Sequence, residues 1–396
     1  MKRSLYIIIV FVPFAFFACE GVANIEEKPG VTDGSVNFTL QLVDSTGTFN
    51  AAYGRNYVDG ASVFLESNLQ QDQFTFESNE NGIVEAGNLV SGQYLVVVTR
   101  EMTPEEMEKA TGEKMYFRKL VNSEMGIIEL RADKNDTVKV VLDKIRTESV
   151  LVFSEIYACG PPEAGLYFHD KYVEVYNQSD EVQYLDGILV ANVYLHGQTG
   201  ECFVNDPDYV HTSAIWKFPG KGTDYPIQPG QFVVCAEDAM DHTINAPYSV
   251  DLSNVDFEFY KSDAPDVDYR DVPNMIKVHQ IGSYDWGVGG ETDAIVLAKL
   301  DADSLIWDGA RYLIPTGSVL DGVEYLADPT RLDNKRLYHG IDAGATGGII
   351  FYTGKTMERK IKSNENGKVK LKDDNNSSLD FNIYSQPSPQ YHNELN

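Results

Sequence analysis

The chain has 396 residues, enough for two domains, and 43% of them are apolar with 23 Tyr and 19 Phe, which excludes global disorder. Its formal net charge is −28, so it lacks the basic surface that a phosphate backbone or an anionic lipid face requires, and nucleic-acid binding is excluded. The acidity permits a divalent cation and points to no other cofactor.

Residues 1–18 read as a targeting segment. Lys2 and Arg3 form a basic start, Leu5 to Phe17 an apolar stretch too short to span a bilayer, and Ala18 precedes Cys19. This arrangement resembles a bacterial lipobox, with a departure at Phe16-Phe17. The resemblance implies cleavage before Cys19 and acylation of that cysteine as the lipid anchor. Residues 19–34 are polar and acidic, a flexible tether. The acidic residues after the cysteine resemble the surface-export signal of Bacteroidota lipoproteins, which implies an outer-membrane protein facing the exterior.

Helical periodicity is scarce, and Val, Thr and Tyr dominate short runs broken by Gly, Asn, Asp and Pro. The expected fold class is all-β, with two β-sandwich (Ig-like) domains over 35–146 and 148–396. In the first, strands are predicted at 35–43, 60–65, 73–78, 83–86, 93–99, 126–131 and 137–143. Asn79-Glu-Asn-Gly82 is a turn in which Gly82 supplies a positive φ. One helix is predicted from Thr103 as N-cap, with Pro104 at its first position, Glu106 closing a capping box and Gly112 just past its end. Gly60-Ala61-x-Val63, Asn81-Gly82 and Leu89-x-x-Gly92-x-Tyr94-x-Val96 resemble transthyretin-like or carboxypeptidase-regulatory-like modules. Such modules imply a spacer or docking unit and no chemistry.

In the second domain, alternating runs at 150–157, 171–177 and 184–190 predict three core strands. Ser154-Glu155-Ile-Tyr157, Tyr172-Val-Glu174-Val-Tyr-Asn177, Leu185-Asp-Gly-Ile188, Ile227-Gln-Pro-Gly230, Asp293–Leu297 and Asp373–Phe381 resemble the lamin-tail domain. That resemblance implies a sandwich enlarged by insertions at about 191–225 and 237–285, with Glu155 and Glu174 tying loops through backbone N–H groups. The inserts, Tyr167-Phe-His-Asp170 and the tether together resemble a family of uncharacterised Bacteroidota lipoproteins, a domain of unknown function associated with TonB-dependent receptors. It implies a role in nutrient uptake.

Beyond Cys19, three cysteines remain. In an oxidising compartment one disulfide can form and one thiol is left over. Cys159 and Cys202 both lie in loop-like sequence and pair on that ground, and Cys235, inside the apolar run Phe232–Ala236, stays a buried free thiol. The expected binding surface comprises His169, Asp170, His196, His211, Trp216, His242 and Trp286, charged or aromatic residues on the second domain's loops and inserts. Neither the Asp373–Asn376 run nor Gly287-Val-Gly-Gly-Glu291 has the spacing of a calcium or phosphate loop. No catalytic constellation emerges. The functional expectation is a non-catalytic binding or accessory component of a TonB-dependent nutrient-uptake system. The alternatives are a hydrolase built on Glu155, Glu174, His169 and His242, or a structural or adhesive spacer.

Overall fold

The structure is a computed structural model, and it describes residues 35–67, 72–112, 118–122, 126–131, 137–147, 149–162, 168–194, 203–282, 285–365 and 367–395. The signal segment, Cys19 and the tether lie outside the described residues. Among the described residues the fold is all-β, with only short helices among several sheets.

Two sheets enclose the first core. Ser35–Asp44 pairs antiparallel with Ile83–Val90 and parallel with Val138–Leu142. Opposite, Ser62–Ser67 and Gly92–Met102 register Val63 on Val98 and Leu65 on Val96. Alternate residues of both sheets therefore point inward, and Leu40, Leu42, Val63, Leu65, Val96 and Val98 are fully buried. Gly82 has φ +69, and a Cβ there would lie 2.8 Å from the Val58 amide nitrogen, so only glycine fits the turn. The Tyr94 hydroxyl donates to the Val90 carbonyl at 2.8 Å, locking the corner that enters its strand. The helix Pro104–Thr111 has the expected Thr103–Glu106 capping box and ends at Gly112 with φ 84. A second helix, Thr48–Tyr53, has no helical periodicity in the sequence. It is held by Asp44, whose carboxylate accepts the Phe49 N–H at 2.8 Å.

In the second unit, one six-stranded sheet runs Phe257–Glu258, Phe232–Ala236, Tyr172–Asn177, Leu151–Tyr157, Thr356–Arg359 and Phe381–Tyr384. The facing eight-stranded sheet is centred on Leu189–Val193, Tyr209–Lys217 and Asp293–Ala298. Phe153, Val175, Trp216, Leu297 and Tyr325 meet between them. Leu151–Tyr157 and Tyr172–Asn177 are buried on both faces rather than alternating. The reason is a third layer: the hairpin of Ile361–Glu365 and Lys368–Leu371 covers Val152 and Tyr176, and residues 388–393 cover the glutamates.

The stretch expected as a loop insertion at 191–225 instead supplies Tyr209–Lys217, which pairs with Leu189–Val193, Ile276–Gln280 and Tyr312–Pro315. Trp216 is accordingly core: it packs edge-on to Phe259 at 5.6 Å, and Phe259 stacks on Trp286 at 3.6 Å. Both tryptophans were expected on a binding surface. Their rings are buried because they bridge the sheets, and only their N–H groups reach polar partners, Gln280 and Asn192, each at 3.1 Å.

Across the two units, the buried ammonium of Lys119 lies 3.5 Å from the Asp373 carboxylate and donates to the Asp373 carbonyl. Asp373 also faces Arg359 at 3.6 Å. Glu101 takes Lys362 and Lys370 from the second unit.

Candidate functional site

One mouth of the second sandwich opens into a cleft of about 610 Å³. Strand ends build it. His169 and Lys171 lead into Tyr172–Asn177, Glu237 follows Phe232–Ala236, and Asn192 ends Leu189–Val193. Asp285 to Gly289 close the side before Asp293–Ala298 begins. The walls are fixed by backbone and side-chain bonds. The Glu237 N–H donates to the Lys171 carbonyl at 2.8 Å, and Asn192 Nδ2 donates to the Gly287 carbonyl at 3.2 Å. At the far end, Asp293 accepts the Gly289 N–H at 2.8 Å and pairs with Arg336.

Three carboxylates converge on one imidazole. From His169 Nδ1, Glu237 Oε1 lies at 3.5 Å, Asp238 Oδ2 at 3.6 Å and Asp285 Oδ2 at 3.9 Å. Lys171 Nζ stands 3.6 Å from Glu237 Oε2. The Glu237 carboxylate beside it, helped by Asp238 and Asp285, pushes His169 up to about 9. Burial, then the charge of Glu237, pushes Asp238 up to about 7. At neutral pH the imidazolium is therefore one of the few positive charges facing an acidic wall.

Trp286 apart, the other expected surface residues among those described are not gathered here. Asp170 is buried and turned inward, accepting from Ser249 at 2.6 Å and Tyr157 at 3.1 Å. His211 is buried, stacked on Phe203 at 3.7 Å and bonded to Asp206 at 2.8 Å. His242 is buried too, its Nε2 2.9 Å from the Asp238 carbonyl oxygen, and burial lowers it to about 4. These polar residues were expected to be exposed because they sit in irregular sequence, but each is packed under a loop. His196 lies outside the described residues. Of the six expected surface residues that are described, His169 and Trp286 line the cleft, and Trp286 does so with a buried ring.

Cys159 is a buried free thiol whose Sγ lies 3.1 Å from the Lys355 carbonyl oxygen, not half of a disulfide. It sits in a bend two residues past the core strand Leu151–Tyr157, in a loop as expected but packed into the core; Cys202 lies outside the described residues. Cys235 is also a buried free thiol. Glu155 and Glu174 are buried beneath the C-terminal segment. Glu155 accepts the Ser388 N–H at 3.0 Å and Glu174 the Gln390 N–H at 2.6 Å, which makes them loop ties. The Asp373–Asn376 run is a turn closed by its own side chains, with Asn376 capping Ser378 at 3.1 Å.

Glu237 and Asp285 were not singled out from sequence. Each is one acidic residue among 60, and no spacing links either to His169. The only local signal is that Glu237 directly follows an apolar strand.

Residues 228–388 match the family model described as "Protein of unknown function (DUF4876)". That span contains Glu237, Asp238 and Asp285 but not His169. The chain is similar in fold to the crystal structure of a DUF4876 family protein from Bacteroides thetaiotaomicron VPI-5482. The two share 24% identity with a TM-score of 0.53, covering 88% of this chain and 94% of that one. The Bacillus anthracis TIE protein aligns at 10% identity over 71% of this chain and 48% of that one, with a TM-score of 0.19. A DUF3823 family protein from Bacteroides uniformis aligns at 10% over 74% of this chain and 99% of that one, with a TM-score of 0.16. These last two are too distant to bear on the fold. Against curated proteins the chain has no match.

Proposed function

We propose that this protein is an outer-membrane lipoprotein, anchored through Cys19 and facing the cell exterior. In this reading it serves a TonB-dependent nutrient-uptake system as a non-catalytic binding or accessory component, with the His169–Glu237–Asp285 cleft as its binding seat. The cleft carries the proposal: an open, charged concavity held on the ends of rigid strands is how binding sites are commonly built. The lipobox-like Ala18-Cys19 and the acidic tether support the anchor. The Tyr94 corner and the Glu155 and Glu174 loop ties support the reading of the two units as transthyretin-like and lamin-tail-like. Those glutamates support the non-catalytic side as well, since backbone N–H groups of residues 388 and 390 occupy the carboxylates that a hydrolase would need.

The test is purification of tagged full-length protein from detergent-solubilised outer membranes of a Bacteroidota host. An acylated Cys19 and a co-purifying TonB-dependent receptor are expected. Recovery of the chain unacylated and alone would overturn the reading.

A further inference from the structure

We propose that His169, Glu237 and Asp285, with Asp238 beside them, bind a divalent first-row transition-metal ion. One ligand atom from each of the first three lies within 4.8 Å of the other two. The separations from His169 Nδ1 to the three carboxylates run from 3.5 to 3.9 Å. They sit close to the roughly 3.4 Å between ligand atoms around a tetrahedral ion with bonds of about 2.1 Å. The side chains are thus gathered around one point.

Glu237 provides a second, independent sign. It is 5% exposed, and its Oε2 is buried with no hydrogen-bond donor; Lys171 Nζ stands 3.6 Å away. A buried carboxylate oxygen without a donor is costly unless a cation compensates it. Asp238 Oδ1 and Asp285 Oδ1 are buried without donors as well. Crowding three carboxylates at one mouth of the sandwich costs free energy that a bound dication would return.

The donor set selects the ion. An imidazole nitrogen among carboxylates suits zinc, manganese, iron or cobalt, while calcium prefers six to eight oxygens. The thiols of Cys159 and Cys235 lie in the core and contribute nothing. His169 is 49% exposed on the cleft wall, so an exogenous ligand can complete the coordination from the cleft side. The site makes the cleft of the proposed binding role a metal or metal-complex seat.

The test uses the full chain in detergent, stripped with chelator, and titrated with zinc by calorimetry and with cobalt by visible absorption. One ion per chain is expected, with cobalt d–d bands. The substitutions His169→Ala and Glu237→Gln should each weaken zinc binding by at least about 100-fold, the upper end of what losing even an outer-shell partner costs. Excess calcium should not displace the zinc. If Glu237→Gln fails to fold, the half-exposed His169→Ala decides. No saturable zinc binding, or binding unchanged in His169→Ala, overturns the site. Receptor co-purification is read separately: zinc binding without a receptor removes only the uptake role, and a receptor without zinc binding removes only the metal site.

Discussion

Glu155 gives the sharpest test of the physical account. Burial pushes its carboxyl from 4.5 up to about 7; the Ser388 N–H works against the shift by bonding the charged form, and Glu358 adds to it. Glu174 is pushed well up by burial and by Glu155. The folded state therefore holds protons that the unfolded chain releases above about pH 4.5. Wherever the folded state binds more protons, stability falls as pH rises. For Glu155 the fall runs from about pH 4.5 to about pH 7. At 1.36 kcal/mol per unit, it amounts to about 3 kcal/mol.

Glu155→Gln makes the group permanently neutral and keeps an acceptor for the Ser388 N–H, 3.0 Å away in the wild type. Urea melts at pH 5 and pH 8 should therefore show the variant within about 1 kcal/mol of wild type at pH 5, the scale of one exchanged hydrogen bond. At pH 8 it should be more stable by about 3 kcal/mol. A wild-type stability that is flat or rising between pH 5 and 8, or a variant less stable at pH 8, would refute the reasoning.

Gly82→Ala should cost about 1–3 kcal/mol, read as a lower Tm, because a Cβ at φ +69 meets the Val58 amide nitrogen at 2.8 Å. Lys119→Met leaves the Asp373 carboxylate buried beside Arg359 alone; a loss of about 3–5 kcal/mol is expected, with separation of the two units' transitions in calorimetry. Thr103→Ala removes the hydroxyl that accepts the Glu106 N–H at 3.2 Å and should cost about 1 kcal/mol in a denaturant melt. Trp216→Ala should cost about 3–5 kcal/mol, as expected for a buried ring packed between sheets.

The first unit was legible in the sequence because its signals are local. Gly82 in its turn, Thr103 and Glu106 in the capping box, and Tyr94 at its corner each act within a few residues. Glu155 and Glu174 could be read as loop ties, although their partners, Ser388 and Gln390, lie at the far end of the chain. What failed was exposure. Trp216, Trp286, His211 and His242 lie in stretches that read as loops, and exposure followed from that assumption. Tyr209–Lys217 is a central strand, and the irregular segments are packed as a further layer over the sheets. Of the cleft, the sequence marked His169 and Trp286 but not the carboxylates that meet His169. His169, Glu237 and Asp285 meet because two strand ends and a loop converge, a property of topology with no period or motif to mark it.

The central claim is that this convergence is a cation seat. It is tested most directly by anomalous diffraction at the zinc edge from crystals grown with zinc. The account predicts a single strong peak about 2.1 Å from His169 Nδ1 and from carboxylate oxygens of Glu237 and Asp285. A cleft without a peak, or zinc bound only elsewhere on the surface, would contradict it.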